Sequence, residues 1–111
     1  MGEIIESKDK EFKSILEKSK DKLVIVDFHH PKCFPCLLQD PVLEEVSKER
    51  DVIIAKHNVM ENPRVPSVLK ITSVPTLIFV KDNKVVRAKR GFTKKEKLEE
   101  IIDEIEQGGE E

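Results

Sequence analysis

The chain has 111 residues, 38% of them charged, with a formal net charge of -2, a size that supports one hydrophobic core but not two. Lys and Glu are interspersed rather than segregated, so there is no basic stripe to neutralise phosphates, and no nucleic-acid partner is expected. No apolar run approaches the roughly 20 residues that span a bilayer, and "MGEIIESKDKEFK" lacks the basic-then-apolar layout of a secretory signal; a cytoplasmic protein without membrane association is expected.

The apolar start "EIIES" predicts a short strand, and from Lys8 to Ser19 the residues Phe12, Ile15 and Leu16 fall at helical spacing among charged neighbours. From Lys22 to His29, "KLVIVDFH" is a β-branched apolar run broken only by Asp27, the pattern of a central strand buried on both faces. It leads straight into "HHPKCFPC", which holds both cysteines, Cys33 and Cys36. From Phe34 to about Arg50, Leu37, Leu38, Val42, Leu43 and Val46 predict one apolar helix face, with a kink expected at Pro41.

"DVIIAKHN" predicts another strand, and "ENPRVPSVLK" a short helix that includes Val65, Val68 and Leu69. "VPTLIFVKDNKVVRAKRG" reads as two strands joined at the polar turn "KDNK", a hairpin. Thr93 with Glu96 three residues on predicts a capping box, and Leu98, Ile101, Ile102 and Ile105 give the last helix an apolar face. The tail "QGGEE", residues 107–111, is expected to be disordered. The order of elements is that of one α/β domain over residues 1–111.

Two cysteines at this spacing can bind metal, form a structural staple or exchange electrons with another protein. In the cytosol thiols are kept reduced, and a bridge closing so small a loop removes little unfolded-state freedom, so the staple is the weakest of the three. At a helix N-terminus the dipole favours a thiolate, and only the thiolate attacks a disulfide. Cys33 is therefore the candidate nucleophile, and Cys36, one turn inside, the candidate resolving thiol. Asp27, buried in a central strand, is expected to have a raised pKa and to be a plausible proton acceptor for a nearby thiol. The bland alternative is an Asp that caps a turn.

The ordered set "VDF" at 26–28, "CFPC" at 33–36, Pro41 and "VPT" at 74–76 resembles the thioredoxin family across Ile4 to Ile105. The resemblance implies a thioredoxin fold, a central mixed sheet of four to five strands flanked by about four helices. It also implies a redox disulfide between Cys33 and Cys36, and protein-disulfide reduction in which Cys33 attacks and Cys36 resolves. Asp27 would lie beneath Cys36 with Lys56 as its charged companion. A cis Pro75 would face the cysteines, the Val74 backbone would pair with a substrate strand, and Gly91 would be the groove glycine, for which a simple strand-to-helix turn is an equal alternative. Partners would be disulfide-containing proteins and a reductase, the chain would be a monomer, and no cofactor is expected.

The sequence departs from the family at the partner-facing surface. It has no Trp; His29 and Lys32 stand where the family carries Trp, Phe34 replaces the Gly between the cysteines and becomes a candidate substrate contact, and Met60 occupies a position where Asp is common. A zinc site would need Cys33, Cys36 and two of His29, His30 and His57. The adjacent His29 and His30 tend to point to opposite faces, and His57 must come from another strand, so no metal is expected. An iron-sulfur cluster shared by two chains and a partner-binding domain without exchange activity are the remaining alternatives. The Lys/Glu-rich composition is compatible with a thermophilic source.

Overall fold

The computed structural model describes residues 1–108. Its elements follow the expected order: β1 (Glu3–Ser7), a 3-10 turn (Asp9–Glu11), α1 (Phe12–Lys18), β2 (Val24–His29), α2 (Phe34–Glu49), β3 (Ile53–Asn58), α3 (Arg64–Val68), β4 (Thr76–Lys81), β5 (Lys84–Arg90) and α4 (Lys95–Glu106). They form one five-stranded mixed sheet in the order β1-β3-β2-β4-β5. β2 pairs parallel with β3 and antiparallel with β4, so the strand that leads into the cysteines is the central one, as its apolar run predicts. The expected α/β fold with four helices is the one observed.

Strand alternation sorts the core side chains into two clusters, one on each face of the single sheet. On β2, Ile25 joins Ile54, Leu77 and Phe79 beneath α2 and α4, whereas Val24, Val26 and Phe28 join Phe12 and Ile15 of α1 on the other face. The two-residue period therefore places Asp27 on the α2 side of the sheet, in line with Ile25. The β4–β5 turn is made by Asp82 and Asn83, whose φ values of 52° and 67° suit a two-residue type I′ loop, and Asn and Asp tolerate that region best among non-glycine residues.

Three expectations need correction or refinement. The buried face of α2 is Cys36, Gln39, Leu43, Val46 and Ser47, while Leu37 and Leu38 are exposed. Five apolar residues in so short a stretch fit more than one helical phase, and packing against the sheet sets the phase with Cys36 inward. The Thr93 capping box does not form: α4 begins at Lys95, with Lys94 as N-cap and no side-chain cap bond. Thr93 is instead buried and bound to Gln39 of α2, whose Nε2 donates to the Thr93 carbonyl at 2.9 Å while its Oε1 accepts from the Thr93 N–H at 2.8 Å. The helix expected over Lys8 to Ser19 opens as the 3-10 turn before Phe12.

Pro41 lies inside α2, which continues through it. In the predicted tail, Gln107 and Gly108 close α4, with N–H groups donating to the carbonyls of Asp103 and Ile105 at 3.0 Å each; residues 109–111 lie outside the described residues.

Candidate active site

β2 ends at His29, and the chain turns through Pro31 and Lys32 before α2 begins at Phe34. The turn is held by the Cys33 N–H donating to the His30 carbonyl at 3.2 Å and the Lys32 N–H donating to His30 Nδ1 at 3.0 Å. Cys33 is the N-cap of α2, with extended backbone (φ -116°, ψ 108°) and a Sγ that accepts from the Cys36 N–H at 3.2 Å. Pro35 in the first turn costs no hydrogen bond, since its N–H would be unpaired there in any helix. Cys33 and Cys36 are joined as a disulfide with their Cα atoms 5.2 Å apart. Cys33 is half-buried and Cys36 is only 4% exposed, the order of accessibility expected of an attacking and a resolving sulfur. A thiolate on Cys33 would gain from the helix dipole and from the N–H already aimed at its sulfur.

Beneath α2 the sheet presents a row of three residues. Asp27 of β2 stands in register with Lys56 of β3 on one side and Leu77 of β4 on the other. Asp27 is fully buried, neither carboxylate oxygen has a hydrogen-bond partner, and Lys56 Nζ lies 3.6 Å from its Oδ2. At that distance Lys56 is a neighbouring charge rather than a donor. Burial pushes the Asp27 pKa up, the Lys56 cation partly offsets this, and the nearby Asp40 carboxylate adds to the rise, leaving it at about 6. The turn-capping alternative is excluded for Asp27, because its side chain accepts no hydrogen bond at all.

Sequence reasoning missed Asp40. It sits on α2 four residues after Cys36, and its carboxylate takes the close contact with Lys56. The available signal was the i, i+4 spacing from Cys36, which puts the two on one helix face. By strand period His29 shares the face of Asp27, and burial, followed by the Lys56 cation, lowers its pKa.

The Val74–Pro75 peptide is cis, and the Pro75 carbonyl accepts from the Gly91 N–H at 2.8 Å. The two substrate-loop candidates thus adjoin each other. Gly91 has φ +82°, and a Cβ there would meet nothing within 4 Å; backbone conformation, not crowding within the chain, is what selects glycine. Phe34 is 69% exposed beside Cys33.

His57 is on the far face of the sheet. Its ring packs on Phe12 and Phe28, Nδ1 pairs with the Ser7 hydroxyl at 2.8 Å, and Nε2 donates to the Asn62 carbonyl at 2.9 Å. It is a satisfied core histidine turned away from the cysteines. Among the described residues, no group of three or more His, Cys, Asp or Glu side chains could hold a metal ion, and no helix is long and apolar enough to cross a membrane.

The family model described as Thioredoxin matches residues 3–104. The thioredoxin of Buchnera aphidicola is 40% identical over 94% of this chain and 97% of its own, and that of Chlorobaculum thiosulfatiphilum is 38% identical over 93% and 96%. Among solved structures, a reduced Schistosoma mansoni thioredoxin pre-protein has a TM-score of 0.85 at 34% identity, covering 93% of this chain and 98% of that one. The family-model match spans both cysteines and every strand of the sheet, and by these matches the chain belongs to the thioredoxin family and is a protein-disulfide oxidoreductase.

Proposed function

We propose that Cys33 and Cys36 reduce protein disulfides with Asp27 as the proton acceptor of the resolving step. The observation that carries this reading is the buried Asp27 carboxylate, free of hydrogen bonds, on the sheet face that α2 covers. The Cys33 thiolate attacks a substrate disulfide, forming a Cys33–substrate bond and releasing one substrate thiolate. Cys36 then gives its proton to Asp27 and attacks Cys33 Sγ, closing the intramolecular disulfide and releasing the second thiolate. Two electrons pass from the dithiol to the substrate. Lys56 limits the charge penalty at Asp27, while Val74, Pro75, Gly91 and Phe34 form the surface that receives the substrate strand.

A separate reductase returns the disulfide to the dithiol, and the protein works as a cytoplasmic monomer of one domain. The edge strand β5, with Lys84, Arg87, Lys89 and Arg90 along it, supports the monomer, since charged edges resist strand addition. In the test, the protein is supplied with a small dithiol and insulin, and insulin reduction is followed by turbidity. Cys36→Ser should arrest a mixed disulfide on Cys33. Wild-type rates no faster than the dithiol alone, or a mixed disulfide trapped on Cys36 in Cys33→Ser but never on Cys33, would reject the assignment.

A further inference from the structure

Lys56 lies between two carboxylates and divides its contacts unequally. It stands in strand register with Asp27 but remains 3.6 Å away, while its short contact is made to Asp40 on α2. Asp40 is partly open to solvent, with 36% of its side chain exposed, whereas the Asp27 side chain is 1% exposed. A flexible ammonium between the two stays with the hydrated carboxylate at the outer end, because approach to the inner one strips both partners of water. The inner carboxylate is left without a donor.

We propose that Asp40 is a positioning residue for the resolving step: by holding Lys56 on the α2 side, it keeps that cation from closing on Asp27 and preserves a carboxyl able to take the proton of Cys36. This rests on Asp27 being the proton acceptor. The location supports it, since Asp40 and Cys36 are one helical turn apart on a single face of α2, the face turned to the Asp27 row. The other neighbours of that row do not substitute for it. β4 contributes Leu77, which is apolar, and β2 contributes His29, whose pKa is itself lowered. The negative charge of Asp40 acts in the same direction, raising the proton affinity of Asp27.

The consequence is a displaced pH profile. In Asp40→Asn the released ammonium closes on Asp27, and the Asp27 midpoint should fall by about one pH unit, the lower end of what a close opposite charge produces. Carbon NMR titration of the Asp27 carboxyl in the oxidised protein reads this directly, without any catalytic step. The acid limb of mixed-disulfide decay, followed by rapid mixing, should move down with it, and Asp40→Glu should restore both. Asp40→Ala, which cannot hydrogen-bond at all, should reproduce the Asn result. A purely structural role for the Asp40–Lys56 contact would lower the denaturation midpoint and leave the Asp27 titration in place, and that outcome overturns the proposal. Asp27→Asn separates the two readings: decay unchanged in Asp27→Asn rejects the proton acceptor itself and Asp40's role with it. Loss of the acid limb in Asp27→Asn without displacement in Asp40→Asn rejects Asp40 alone.

Discussion

Asp27 and Lys56 are register partners on adjacent central strands, yet no hydrogen bond joins them: the ammonium stays 3.6 Å from Oδ2 and the carboxylate is left bare inside the protein. A carboxyl in that setting holds its proton to a pKa of about 6.

The folded protein therefore binds a proton at Asp27 more tightly than the unfolded chain, and the sign of the linkage follows. Between the ordinary value of 3.8 and about 6 the native state carries the larger share of protons, so stability falls as pH rises through that window and stays lower above it. Asp27→Asn should remove this slope and raise stability at neutral pH by up to about 3 kcal/mol, the free energy of a two-unit difference. The gain should vanish near pH 3. Denaturant curves of both proteins between pH 3 and 8 provide the check, and parallel curves would show that Asp27 is not ionised at a cost.

In the reduced protein, iodoacetamide at neutral pH should modify Cys33 well before Cys36. Cys33 is half-buried at the helix N-cap, whereas Cys36 lies on the buried face of α2. Peptide mapping after short exposures gives the order, and equal labelling or Cys36 first would contradict the assigned roles.

Phe34 projects into solvent and supports no core, so Phe34→Gly should change stability by no more than about 1 kcal/mol, the cost of glycine in the first helical turn. Its effect should appear in substrate choice. We expect kcat/KM for a protein disulfide to fall several-fold while the rate with a small aromatic disulfide changes little. Equal changes with both substrates would place Phe34 outside the recognition surface.

Gln39 is fully buried and satisfies both the N–H and the carbonyl of Thr93. Gln39→Ala strands those two backbone groups and should lower stability by about 2–4 kcal/mol. Because the bond ties α2 to the segment just after Gly91, the variant should also raise KM for protein substrates. Chemical denaturation with steady-state kinetics would test both, and a neutral substitution would mean that water replaces the amide.

The order of strands and helices, the position of the cysteines at the exit of the central strand and the burial of Asp27 are legible in the residues alone, because each is a local pattern. β2 is apolar at every position but Asp27 and the terminal His29, the pair sits at the start of a helical run, and "KDNK" breaks two strands at a turn. The phase of α2 was not local in this sense. Leu37 and Leu38 are as apolar as Leu43 and Val46, and only packing against the sheet decided that Cys36 and Gln39 face inward while the two leucines face solvent. Thr93 shows the same limit, since a capping signal was overridden by a buried amide from a residue 54 positions away. The Asp27–Lys56–Asp40 arrangement belongs wholly to the tertiary structure: two carboxylates, one from a strand and one from a helix, share one cation from a neighbouring strand, and which carboxylate holds it depends on solvent exposure that the folded sheet and α2 create together.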